Sequence, residues 1–193
     1  MRWARSNSTS DGGFTLVEVL VAMLIMAIAS LGVAALFAVS IRANQAARFQ
    51  TSTTTLATQK MEQLRGLTWG FDADGLGLPV SDTTTNLSVY PPDASGGGLN
   101  PSPNDALNVN SAGFVDYLDA RGTWVGNGAT PPASAVYIRR WSIQPLPTNP
   151  NNTLILQVLV TTVRREAQVT GETPRKRHAD DALIATVKTR KGK

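Results

Sequence analysis

A chain of 193 residues with a net charge of +4 holds enough apolar residues for one modest globular domain. It has no cysteine and a single histidine, which excludes a disulfide scaffold, a Cys–His pair and a histidine-based metal cluster. The charge is uneven: six basic and three acidic groups in residues 1–65, three and seven in 66–163, nine and four in 164–193. The basic last stretch is interrupted by strand-like residues and carries no recognised binding motif, so nucleic acid is not an expected partner.

The chain opens on a polar leader, MRWARSNSTSDGG, then Phe14-Thr15-Leu16-Val17 and a lone acid, Glu18. After it come 23 uncharged residues, Val19 to Ile41, about the length a helix needs to cross a bilayer core. A secretory signal has a shorter core of roughly 7–15 apolar residues, and here a helical pattern continues past the run. A plain membrane anchor accounts for the length but not for Glu18. An acid at the end of a membrane helix needs neutralisation, a partner, or a place at headgroup depth. Arg2 and Arg5 before the run are balanced by Arg42 and Arg48 after it, so the positive-inside rule is nearly silent.

From Arg42 to Arg65 there is neither proline nor glycine. Ala46, Phe49, Thr53, Leu56, Ala57, Met61 and Leu64 fall on one helical face, and Gly66 is a reasonable stop. One helix over 14–65 would be ~78 Å long, apolar all round in 14–41 and amphipathic in 42–65. Its second half needs a sheet to cover one face. Residues 66–134, rich in proline, glycine, Asn, Asp and Ser, read as an irregular connector with short elements that wraps the sheet. Two apolar patches, 87–90 and 114–118, are candidates for those elements. Residues 135–193 read as an antiparallel region. Its predicted strands are Ala135–Gln144, Thr153–Arg164 and Leu183–Lys188, a three-strand meander. Leu154, Leu156, Val158 and Val160 alternate onto the face expected to meet the helix.

The string GFTLVEVLVAM, from Gly13 to Met23, resembles the class III signal of type IV pilins and type II secretion pseudopilins. The resemblance covers about residues 1–65. It implies cleavage by a prepilin peptidase between Gly13 and Phe14, N-methylation of Phe14, and docking of Glu18 against the terminal amine of a neighbouring subunit. It implies an α+β, pilin-like fold, with a long amino-terminal helix packed on a small antiparallel meander. The implied partners are the peptidase and methyltransferase, other major and minor pilins through the helix, the inner-membrane assembly platform and membrane lipid. The leader would be cytoplasmic and the carboxy-terminal domain periplasmic, on a single-pass inner-membrane helix, before passage into a pilus or pseudopilus. The chain departs from the family in lacking a disulfide pair and a proline within the apolar half; Ser30-Leu31-Gly32 is its one soft point.

Catalytic and cofactor sites are not expected. His178 sits in a basic loop and reads as solvated, and no G-x-S-x-G motif accompanies it. Asp72 and Asp74 begin a calcium-loop spacing but lack its remaining ligands, so a turn is expected there and an ion site is the weak alternative. Arg175-Lys176-Arg177 reads as a solvated turn, and the glycines at 96–98 as linker. The favoured reading is a minor pilin of the pilus modification type, not an enzyme. A minor type II secretion pseudopilin is the near alternative. A membrane-tethered periplasmic binding domain is the alternative of another class, and the sequence displays no ligand pocket for it.

Overall fold

The computed structural model describes residues 13–71, 79–169, 177–178 and 180–190. It holds two compact units, divided between Gln45 and Ala46. Helix α1 (Leu16–Gly66) contributes to both. In the first unit it is uncharged from Val19 to Ile41, and its large apolar side chains are exposed, from Val19 at 43% to Phe14, just before the helix, at 82%. The helix is long and apolar enough to cross a membrane.

The second unit is α1 from Ala46 onward, a five-stranded antiparallel sheet and its loops. In chain order the strands are β1 (Trp69–Phe71), β2 (Pro79–Ser81), β3 (Val115–Leu118), β4 (Trp124–Asn127), β5 (Tyr137–Pro145), β6 (Thr153–Thr162) and, after helix α2 (Val163–Val169), β7 (Ala182–Thr189). β1 and β2 form a separate ribbon; the large sheet runs β4-β3-β5-β6-β7. Thr53, Leu56, Ala57, Lys60, Met61 and Leu64 are the buried face of α1, spaced three and four apart as helical geometry requires. That face packs on Leu154, Leu156, Val158 and Val160 of β6, with Trp141 and Ile143 of β5 and Leu118 of β3. The expected helix-covering face of β6 is the one observed. Phe49, expected on the buried stripe, stays 38% exposed and makes an edge contact with Tyr137.

Polar contacts pin both ends of this docked segment. Thr53 Oγ1 donates to Asp180 O at 2.9 Å, and Lys188 Nζ donates to Arg65 O at 2.6 Å, supplying a partner to a helix-end carbonyl. In the β3–β4 turn, Asp119 accepts from the backbone N–H groups of Arg121 and Thr123. Chiefly through Thr123, these hold its carboxyl below the usual carboxylate range. Gly122 of that turn has φ +81°, and a Cβ there would lie 3.0 Å from Leu56 Cδ2, so a larger residue would strain the turn where it meets α1.

The sheet is larger than the expected three-strand meander. β3 and β4 come from the stretch read as a connector, and they extend the sheet rather than wrap it. All four residues of β3 are buried, and one of them is Asp116, so apolar–polar alternation does not mark the strand. Residues 87–90 hold no strand; the nearby pairing is an isolated bridge between Asn86 and Asp93. The strand expected over 153–164 stops at Thr162. There Thr162 Oγ1 accepts the Arg165 N–H at 3.3 Å, and VRREAQV, short of β-branched residues in its middle, turns helical.

Leu156 is fully buried between α1 and the sheet. Leu156→Ala is expected to destabilise the second unit by about 2–5 kcal/mol. At exposed Ala185, Ala185→Ser should stay within about 0.5 kcal/mol. Urea titration followed by tryptophan fluorescence measures both.

Candidate functional site

The amino-terminal site is built by the start of α1. Thr15 precedes the helix, and its Oγ1 accepts the Glu18 backbone N–H at 3.3 Å, while its carbonyl accepts from Val19 at 3.2 Å. This is an N-cap with its acid three residues on, the spacing of a capping box, and Glu18 lies in the first turn where the helix dipole favours a negative charge. The cap was not among the sequence expectations, although its T-x-x-E spacing stands in Thr15-Leu16-Val17-Glu18. One helical turn brings Phe14 and Glu18 to the border of the same hollow, with Val19, Ala22, Met23 and Met26. Gly13 is exposed, and a Cβ placed on it would meet nothing within 4 Å. The fold therefore makes no demand for glycine at position 13.

Residues 9–34 match the prokaryotic N-terminal methylation motif. The match spans Gly13, Phe14, Thr15 and Glu18 and ends inside the apolar part of α1. The motif implies processing by a prepilin peptidase and assembly with other pilins. No curated protein matches the chain. No solved structure matches it either.

A second constellation lies under the docked half of α1 and has no counterpart in the sequence analysis. Lys60, Asp116 and Arg139 are each 0% exposed. Register places Asp116 of β3 opposite Arg139 of β5, on the sheet face that meets the helix. Asp116 accepts two bonds from Arg139, Nε to Oδ1 and Nη2 to Oδ2, both 2.8 Å. Lys60 Nζ approaches Asp116 Oδ2 at 3.2 Å, donates to Leu87 O and lies 3.7 Å from the ring centre of Trp141. Two cations thus share one carboxylate. Burial pulls the Lys60 ammonium down from 10.5 to about 8, against the pull of Asp116 and with the help of Arg139. On the opposite sheet face Arg140 is held by Asn110, at 2.6 and 2.9 Å, and by Glu166 of α2, at 2.6 and 3.3 Å. Both arginines come from the strand expected over 135–144. The signal available was Arg139-Arg140 in the middle of an otherwise apolar strand.

Asp72 and Asp74 fall outside the described residues, as do Arg175 and Lys176. His178 is half-buried rather than solvated: its backbone N–H donates to Asp181 Oδ2 at 3.0 Å. Its Nε2 is buried without a hydrogen-bond partner among the described residues.

Removing the shared carboxylate and removing one cation should differ sharply. Asp116→Asn leaves two buried cations unneutralised and is expected to cost about 3–5 kcal/mol, whereas Lys60→Met leaves the Arg139–Asp116 pair intact and should cost under about 1 kcal/mol. Denaturant unfolding of the full chain in detergent measures both.

The pH dependence follows from the lowered Lys60 value. Below about 8 the ammonium is charged in both states and its burial penalty is fully present. As pH rises from about 8 to 10.5 the folded state has lost the proton that the unfolded state still holds, and stability rises. The gain is expected to reach at most about 3 kcal/mol. Lys188, lowered by burial and then by Arg65, adds in the same direction. Tyr117, raised mainly by burial, opposes only above its ordinary value of 10.0. Unfolding midpoints between pH 7.5 and 9.5 should climb in the wild type and much less in Lys60→Met.

Proposed function

We propose that this chain is a minor pilin, a structural subunit taking part in type IV pilus assembly or initiation, and not an enzyme. The observation that carries the reading is the methylation motif over 9–34, set on the start of a helix whose large apolar side chains from Val19 to Ile41 are exposed. In this reading the peptidase cuts between Gly13 and Phe14, and the apolar segment stays with the product. Freedom of the fold from any need for Gly13 supports assigning that glycine to the protease, which needs close access to an extended backbone. The mature chain then starts with a positive amine on Phe14, one turn from Glu18. In an assembly of such helices Glu18 of one subunit meets the amine of a neighbour, and each charge compensates the other in a poorly solvated place. Major and minor pilins, the peptidase and methyltransferase, and the inner-membrane assembly platform are the partners.

Mass spectrometry of the protein from its native membrane should find a chain beginning at N-methylated Phe14. A mature start beyond Ile41 would make the segment a removable signal and overturn the reading. Gly13→Trp should leave the precursor uncut and membrane-bound.

Glu18→Val should leave cleavage and membrane insertion intact, because loss of a charge only favours insertion. Co-purification of neighbouring pilins, or incorporation into filaments, should fall sharply. Wild-type incorporation of Glu18→Val would show that the pairing is not needed.

A further inference from the structure

The start of α1 lies just past the bond that the pilin reading has cut. Gly13, Phe14 and Thr15 are not helical, and the helix begins at Leu16. Thr15 closes the first turn twice: its carbonyl accepts the Val19 N–H at 3.2 Å, and its hydroxyl accepts the Glu18 N–H at 3.3 Å. In a helix that began one turn earlier, each N–H would bond the carbonyl four residues before it. The Glu18 N–H would then go to Phe14 O. The Val17 N–H would go to Gly13 O, the carbonyl of the bond to be cut. By taking the Glu18 N–H, the Thr15 hydroxyl competes with that earlier start. The Gly13 carbonyl accepts no backbone N–H among the described residues. An earlier start has caps of its own, because the leader carries Ser10 and Asp11, both strongly preferred at an N-cap. Gly12 and Gly13 are weak helix formers and oppose that extension without forbidding it. Thr15 therefore decides between two possible starts.

We propose that Thr15 is a positioning residue for prepilin processing: its hydroxyl holds the start of α1 at Leu16 and so keeps the Gly13–Phe14 amide extended and open to the peptidase. The inference rests on the pilin reading, and it gives Thr15 a part played through the helix start rather than on the reacting atoms. Cutting adds one water across that amide. The hydroxyl goes to the Gly13 carbonyl carbon, the proton goes to the Phe14 nitrogen, and the C–N bond breaks. A protease reaches such a carbon where the backbone is exposed and not committed to its own hydrogen bonds. With an earlier helix start the Gly13 carbonyl would be tied to the Val17 N–H and Phe14 wound into the first turn. The precursor would then have to unwind before it could be cut.

The test compares full-length precursors in detergent micelles, cut by a prepilin peptidase over a time course, with mass spectrometry fixing the new amino terminus. Thr15→Val keeps the shape of the side chain and loses the acceptor. Its kcat/KM should fall about fivefold, the size expected for loss of one N-cap. The loss should come mainly through a raised KM, because only the fraction of precursor with the later helix start is competent to bind. Thr15→Ser and Thr15→Asn keep a capping acceptor and should stay within about twofold of the wild type. That order separates capping from a peptidase pocket fitted to threonine, which would take the isosteric valine before asparagine. Thr15→Val cut as fast as the wild type, or Thr15→Asn cut as slowly as Thr15→Val, overturns the proposal and leaves the pilin reading standing. A wild-type precursor that is not cut between Gly13 and Phe14 overturns both.

Discussion

Nothing in the described residues buries the apolar half of α1. From Phe14 to Ile41 its large apolar side chains are exposed, and soluble monomers rarely show contiguous apolar patches beyond a few hundred Å². That surface has to be covered by lipid or by like helices. An all-helical backbone is the form such a segment must take, because in hydrocarbon every N–H and C=O has to be satisfied internally. The constraint also governs where charge sits: Glu18 at one end of the uncharged run and Arg42 just past the other. Thr15 relieves one of the unpaired N–H groups at the helix start, so the cap and the acid work at the same turn. Glu18 thus has a local part in the helix start as well as the intersubunit part proposed for it.

Beyond Ala46 the same helix changes solvent. Leu56, Ala57, Met61 and Leu64 exchange water for the face of β6, and a stripe of apolar side chains alone would tolerate sliding along that face. The Lys60–Asp116–Arg139 group does not. Moving α1 by one turn would carry Lys60 about 5.4 Å, away from its carboxylate and from the ring of Trp141, into an interior where an unpaired charge is strongly unfavourable. The group adds little net stability, given the lowered Lys60 value, and its effect is to select one register of helix on sheet.

The features legible in the sequence were those with a strong period or a rare spacing. The uncharged run, the acid before it, the amphipathic stripe through Leu64 and the alternation of Leu154 to Val160 each follow from one repeating contact, with lipid or with one facing element. β3 lies within the 114–118 patch expected to form a short element, but its place in the main sheet was obscured because both its faces are buried and Asp116 occupies a position where the helix-facing side calls for an apolar residue. Lys60 lies between the stripe residues Ala57 and Met61, but a lysine on a helix is solvated by default; only the carboxylate of the distant Asp116, brought in by the fold, makes its burial tolerable. α2 was lost because Val160, Thr161, Thr162 and Val163 continue the β-branched run of β6 through the helix's own N-cap, Thr162. The motif residues Gly13, Phe14 and Glu18 were legible because they lie within six positions of one another, whereas the cap by Thr15 was not read.

The central claim is that one helix serves two environments, apolar all round through Ile41 and sheet-covered on a single face beyond Thr53. A scan of single cysteines along α1 in native membranes, probed with a membrane-impermeant maleimide, tests it directly, because the chain supplies no competing thiol. Protection should be unbroken from Val19 to Ile41. It should then become periodic, with Thr53, Leu56, Ala57, Met61 and Leu64 shielded and Thr54, Thr55, Thr58 and Glu62 labelled. Periodic labelling within Val19–Ile41, or uniform labelling from Thr53 to Leu64, would contradict it.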